Sequence, residues 1–382
     1  MDNILTLKST NNPCTGCGAC SVICPSKCID LKLDSESFFM PVVNEQNCTQ
    51  CGLCVKVCYQ RLDINNNKDG KELENCTVFA AINSDSKELK SVTSGGVASE
   101  LSKFCLSNGF DVIGAVLNLN KNYAEHIIAS CESDLERMKG SKYLQSYTIN
   151  AFENIKPKNK TLIIGLPCQI YGMRKYIQQL DVEDNFILVD LFCRGVTPAN
   201  LFKKYKEYLS ANFRLSNLVD FNFRSKINGW HRFSLVAYDE AGKEYSETVY
   251  NDIYYSFYLK NMCMRESCYS CEFRHNRVFS DIRLGDFWGS KYYNNDEGVS
   301  IVSIYSERGE EIWEKISSKF IVEENEVSQL KKSQRFSKFP IPIYRSDVIK
   351  SLASQESLES IHSRLEIDKL GFYREEKKSD EK

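Results

Sequence analysis

Histidine is scarce in this chain of 382 residues: only four occur (His126, His231, His275 and His362), and none stands in an H-x-E or H-E-x-x-H context. Zinc hydrolysis built on histidine is thereby demoted. Charge of one sign is lacking too, because 49 lysines and arginines nearly cancel 51 aspartates and glutamates, which is not the field of a general nucleic-acid binder. No apolar run approaches the roughly 18 to 20 residues that cross a bilayer; the most apolar stretches, Thr161 to Leu166 and Phe186 to Phe192, have the length of strands. Met1 to Thr10 shows no basic start followed by an apolar stretch, so a secretory leader is not expected.

What is abundant is cysteine, 17 residues, nine of them within the first 60. Disulfide scaffolds of that density belong to short secreted chains without a core, whereas this chain is long enough for two or three domains. A reducing, cytoplasmic setting is therefore expected, where dense cysteines hold metal.

The first cysteines form an internal repeat. Cys14, Cys17, Cys20 and Cys24 recur 34 residues later as Cys48, Cys51, Cys54 and Cys58, each set in the pattern C-x2-C-x2-C-x3-C. That spacing is the signature of a bacterial two-cluster ferredoxin, in which three thiolates from one loop reach three irons of a cubane and the fourth crosses to the other cluster. Cluster one is thus expected on Cys14, Cys17, Cys20 and Cys58, and cluster two on Cys48, Cys51, Cys54 and Cys24. Pro25 follows Cys24 as the pattern asks, while Tyr59 replaces the second proline. Zinc knuckles seldom show two identical four-cysteine runs, which favours [4Fe-4S] clusters. Cys28 is left over and reads as a small buried residue.

Beyond the repeat, 61–75 is polar and turn-rich and reads as a linker. Strands and helices then alternate. Thr77 to Ile82 reads as a strand, a helical face follows Ser94, Gly95 and Gly96, and Asp111 to Leu119 returns as a strand. Strand Thr161 to Leu166, helix Gln169 to Leu180, strand Phe186 to Leu191 and helix Pro198 to Leu209 make a βαβ unit, whose parallel strands are expected to be adjacent. Ser234 to Tyr238, Asp281 to Leu284 and Ser300 to Tyr305 read as further strands of a mixed sheet. Gly309 to Ser318 and Asp347 to Leu365 read as helices, and Arg374 to Lys382 as a disordered charged tail.

Cys168 and Cys193 directly follow the two parallel strands, at the edge where open α/β sheets place their sites, and Cys268 and Cys271 add two thiols at chelating spacing. From the residues alone, Cys168 and Cys193 read as core residues, and Cys268 with Cys271 as a redox dithiol or half a zinc site; the four also suit a third cubane. Cys76, Cys105 and Cys131 read as core residues, and Cys263 as a competing ligand.

Seven segments occur in order: Ser94 to Gly96, Gly140 to Tyr143, Gly165 to Gln169, Cys193 to Gly195, Phe223 to Lys226 with Gly229 and Trp230, Arg265 to Cys271, and Ser280 to Gly289. Together they resemble the family of beta subunits from the hydrogenases and dehydrogenases that use coenzyme F-420, a deazaflavin. The resemblance spans roughly residues 11 to 305. Arg194 stands where relatives often have histidine, and Glu266 where proline is common. The resemblance implies an iron-sulfur flavoprotein that binds FAD beside a cubane on Cys168, Cys193, Cys268 and Cys271.

The expected fold class is α+β. A bacterial-ferredoxin-like domain (1–60) and the linker (61–75) precede a mixed α/β flavin-binding domain with a βαβ unit. Its flavin-contacting region is 76–155, the region with the third cluster is 156–335, and 336–382 is a helical, charged extension. Ser94, Gly95, Gly96, Ser141, Lys142, Gln145 and Ser146 are the candidate flavin contacts. A glycine pair opening a helix presents free amides, and Lys142 supplies a cation, although an ordinary helix-start turn and a solvated charge read equally well from the residues alone. Arg224, Lys226, Trp230 and Arg283 are candidates for an anionic ligand. The implied activity is oxidoreduction, relaying electrons between a two-electron carrier and the clusters; the rival is a non-catalytic electron-transfer subunit. Candidate partners are a redox protein or ferredoxin and a deazaflavin or nicotinamide hydride carrier, with no nucleic acid and no membrane span.

Overall fold

The structure is a computed structural model that describes residues 3–7, 13–61, 70–274 and 277–370. A nine-stranded mixed sheet organises it, with strand order Phe320–Asn325, Thr77–Asn83, Ser300–Ile304, Ile282–Asp286, Phe186–Leu191, Thr161–Gly165, Asp111–Asn118, Tyr123–Ala129 and Ser146–Tyr147. Four neighbouring strands at its centre, from Ile282–Asp286 to Asp111–Asn118, run parallel. Their continuous apolar character follows from burial on both faces. The expected βαβ unit is present, with helix Pro167–Leu180 joining strands Thr161–Gly165 and Phe186–Leu191 in direct register.

Strand Ser234–Asp239 departs from expectation. It belongs to a separate three-stranded antiparallel sheet with Leu218–Ser225 and Glu244–Thr248. Its apolar pattern is satisfied by an aromatic core, including Phe202, Tyr205, Phe221, Phe223, Tyr254 and Tyr255, so the large sheet has no need of it. The helix expected over Asp347 to Leu365 is two helices, Arg345–Ala353 and Leu358–Arg364, because Ser357 caps the second by accepting from the Ser360 amide. Part of the supposed linker is structured: Lys71–Glu72 pairs with Arg277–Val278, while 62–69 and the expected tail from Arg374 lie outside the described residues. Cys131 is exposed, not core, because it stands at the start of helix Glu132–Met138 on the surface. Cys105 is buried and Cys76 half-buried.

The cysteine-rich module carries one hairpin, Ile29–Leu33 with Phe39–Val43, and does not hang free. Ala19, Cys20 and Ile23 share one apolar core with Ile113, Ile163, Ile170 and Met173 of the sheet and helix Pro167–Leu180. Gly172 makes this approach possible: a Cβ there would lie 2.7 Å from the Ala19 Cβ and 3.2 Å from the Cys17 Sγ. Polar staples complete the joint. Gln145 accepts from the Phe39 amide and donates to the Thr15 carbonyl, Thr148 donates to the Cys17 carbonyl, and Arg265 donates to the carbonyls of Cys14 and Phe39.

Candidate functional site

Two adjoining cavities open at the carboxyl ends of the parallel strands. The larger, of about 490 Å³, is lined by Cys168, Cys193, Cys268 and Cys271 among others. Cys168 sits in the first turn of helix Pro167–Leu180, Cys193 two residues beyond its strand, and Cys268 in the short helix Glu266–Tyr269. Thiols from three separate stretches of the chain are thus brought together. Burial pushes the Cys168 thiol well above its usual range, and the nearby Cys17, Cys193, Cys271 and Cys268 add to the shift. Burial, with Cys268 and Cys271, likewise pushes Cys193 up to about 12. Such a set resists ionising unaided and becomes thiolate when a metal compensates the charge. Among the described residues, no three His, Cys, Asp or Glu side chains converge tightly enough to hold a single metal ion.

The module's cysteines interleave across the two runs, and Cys54 adds to the shifts of both Cys20 and Cys58. Burial raises Cys58 to about 12, with Cys17 and Cys14 contributing, so Cys58 lies beside the first run although it belongs to the second. Cys20 is raised well above its usual range by burial and by Cys17, Cys14 and Cys58. Cys54 is raised chiefly by burial, with Cys51 and Cys24 adding to it. Cys28 is buried as expected, yet its Sγ lies 3.4 Å from that of Cys24, and burial with Cys24 and Cys48 lifts it to about 12. The Cys17 and Cys168 groups neighbour each other, which joins the module's first set to the cavity thiols.

The second cavity, about 300 Å³, shares the walls Gly195, Arg194 and Cys193 with the first. Of the candidate flavin contacts, Ser94, Gly96, Ser141, Lys142 and Ser146 line it. Gly96 takes the left-handed conformation (φ +91°) at the start of helix Val97–Ser107, whose first amides receive no side-chain cap. Gly95 lines neither cavity and is a packing residue, since a Cβ there would lie 2.0 Å from the Ala81 carbonyl oxygen. Gln145 lines the larger cavity and serves as the staple described above. Lys142 donates to the carbonyls of Arg137, Met138 and Lys139, closing the end of helix Glu132–Met138, and burial lowers its pKa to about 7.

Sequence reasoning missed His126. It lies on strand Tyr123–Ala129, is 2% exposed, lines the second cavity, and neither ring nitrogen makes a hydrogen bond of ordinary geometry. Orphaned buried nitrogens beside an uncapped helix start are donors and acceptors suited to a heteroaromatic ring and its phosphates, so the lining fits a flavin. Burial lowers His126 to about 4, the Ile164 backbone opposing. The unfolded histidine binds its proton near pH 6.5 and the folded one only near 4, so stability is full above about 6.5 and falls as pH drops through that window. The expected loss is about 3 kcal/mol by pH 4, read as unfolding midpoints at about pH 7.5 and 5, and the slope should flatten in His126→Gln.

The anion candidates are already paired or engaged. Arg224 makes a two-pronged ion pair with Asp286 (2.6 and 3.1 Å), which also accepts from the Trp230 indole, and Arg283 holds Asp190 in the same way (2.7 and 2.6 Å). Lys226 donates to the carbonyls of Ser94 and Glu297. These residues are therefore structural ties.

Comparison with known proteins gives two domains. Residues 158–329 match the C-terminal family model of the coenzyme F420 hydrogenase/dehydrogenase beta subunit, and residues 13–61 match the "4Fe-4S dicluster domain". The chain is 24% identical over 301 residues to one of the subunits of the F(420)H(2) dehydrogenase of Methanosarcina mazei, covering 75% of this chain and 80% of that one. It is also 24% identical over 342 residues to an uncharacterized protein of Methanocaldococcus jannaschii, covering 78% and 85%. A chain in the structure of the F420-reducing [NiFe] hydrogenase complex from Methanosarcina barkeri matches with a TM-score of 0.48 at 18% identity, over 78% of this chain and 94% of that one. With its cysteine repeat and the ordered motifs around the two cavities, the chain carries the C-terminal domain of the coenzyme F420 hydrogenase/dehydrogenase beta-subunit family over residues 158–329 and a 4Fe-4S dicluster domain over residues 13–61.

Proposed function

We propose that this chain is an iron-sulfur flavoprotein that relays electrons between a two-electron carrier and one-electron partners. One observation carries the reading: the cavity lined by Cys168, Cys193, Cys268 and Cys271 adjoins both the second cavity and, through Cys17, the ferredoxin module. Cys14, Cys17, Cys20 and Cys58 would hold one [4Fe-4S] cluster, Cys48, Cys51, Cys54 and Cys24 another, and the four cavity cysteines a third. FAD would occupy the second cavity, against Ser94, Gly96, Ser141, Lys142 and Ser146. The flavin supplies exchange between hydride and single-electron chemistry, and the clusters supply single-electron storage.

The chain's own residues provide the rest. The uncapped start of helix Val97–Ser107 offers amides to a phosphate or a ring carbonyl, and the neutral His126 ring offers a hydrogen bond. Gly172 and Gln145 hold the module against the body, so that the thiol sets stay in fixed relation. Among the described residues no helix is long and apolar enough to cross a membrane.

A second reading, a protein that only wires a partner enzyme, is favoured by the docked ferredoxin module and by the name of the M. mazei relative, which is a component of a dehydrogenase. Anaerobic purification followed by iron, sulfide and flavin analysis separates the two. About twelve irons and one FAD per chain are expected, whereas about eight irons without flavin would sink the enzyme reading. Flavin bleaching by reduced F-420, NADH, NADPH or reduced ferredoxin, each in turn, identifies the donor.

A further inference from the structure

The larger cavity also holds a group of cations gathered on one aromatic ring. Arg194, Arg274 and Arg335 stand with their guanidinium carbons 4.8, 4.2 and 4.4 Å from the centre of one ring, that of Phe339. A ring has two faces, so at least two of the three cations share a side of it, and every pair lies within about 9 Å, about the screening length at physiological salt. They come from three separate stretches: the loop after strand Phe186–Leu191, the turn after Cys271, and the segment beyond helix Val327–Ser333.

Two of them meet only neutral acceptors. Arg194 donates to the Asn261 side chain and the Leu259 carbonyl, and Arg274 donates to the carbonyls of Cys193 and Arg194, while its Nη1 is buried without a partner. Arg335 donates to Ser337. Arg224 and Arg283, in the same cavity, each hold a carboxylate, which sets them apart from Arg194 and Arg274. A buried guanidinium left without an anion is costly, and its planar fork matches an oxyanion.

We propose that Arg194, Arg274 and Arg335, gathered on Phe339, form an oxyanion subsite that takes the carboxylate or phosphate of a small substrate. This deepens the redox reading of the cavity and rests on it. The arginines would fix one end of an anionic molecule, leaving the rest of it in the passage toward the second cavity. The competing account is that they serve only to offset the charge of a thiolate-held cluster, since Arg274 lowers the pKa of Cys193, Cys268 and Cys271.

Calorimetric titration of the full, anaerobically purified chain with inorganic phosphate and, separately, with malonate tests this. Saturable binding of one equivalent by either probe is expected, and the tighter of the two identifies the anion. Arg335→Gln and Arg194→Gln should each weaken that binding about tenfold or more with iron and flavin content unchanged, and Arg335→Lys should recover part of it. No saturable binding in the parent protein, equal binding in both glutamine variants, or loss of about four irons in Arg335→Gln would overturn the proposal. The parent protein's iron and flavin content judges the redox reading separately, so failure of the one is distinguishable from failure of the other.

Discussion

Replacing Asp190 by alanine is expected to destabilise the fold by about 3–5 kcal/mol, a large share of a typical domain's net stability of about 5–15 kcal/mol. Asp190 and Arg283 are directly opposed on adjacent parallel strands, bonded through two nitrogens, and exposed by only 1% and 2%. Deleting the carboxylate strands a guanidinium in the middle of the sheet, where the neighbouring Phe192 ring is a poor substitute for water. The double variant Asp190→Leu with Arg283→Met should recover most of the loss, because it removes both desolvation costs. Thermal midpoints of the parent, Asp190→Leu, Arg283→Met and the double variant, measured beside Asp190→Ala, close the cycle. A midpoint for Asp190→Ala within a degree or two of the parent would show that the pair contributes little.

Cys168→Ser is expected to lower the iron content of the anaerobically purified chain from about twelve to about eight, leaving the two module clusters in place. Cys58→Ser should have a different signature. Cys58 belongs to the second run by sequence but lies with Cys14 and Cys17, so its loss should remove the spectroscopic signal of the set nearest Cys168 and spare the one held by Cys48, Cys51 and Cys54. Iron analysis and low-temperature EPR of the dithionite-reduced proteins read both outcomes. Loss of the second set in Cys58→Ser would contradict the crossed arrangement.

Much of this architecture is legible in the chain because its signals are local. Thr161 to Leu166 and Phe186 to Leu191 are apolar almost without interruption, which is what burial on both faces of a sheet demands, and the residues that follow them carry Cys168 and Cys193 to one edge. Strand Ser234–Asp239 is equally recognisable as a strand, but an apolar pattern says nothing about which sheet will accept it. Gln145 illustrates a second limit. Its place beside Lys142 and Ser146 suggests a shared ligand, yet its amide is spent on the backbone of residues more than a hundred positions earlier. The arginine group is a third case. Arg194, Arg274 and Arg335 have no spacing in common, and only the folding back of 334–339 over the cavity, with Phe336 and Phe339, brings them together. His126 escapes notice in the sequence because a single histidine between Glu125 and Ile127 has no motif; burial without a partner is a property of the folded molecule alone.

Helix Pro167–Leu180 presents Cys168 to the cavity and, four residues on, Gly172 to the ferredoxin module. Each residue inserted or deleted between them would turn one contact relative to the other by about 100°. The interval is therefore an angular constraint rather than a length. A chain that lengthened this turn would keep all its thiols and still aim the module away from the cavity, whereas added residues in the exposed turn at Ala241 and Gly242 would be absorbed without moving either.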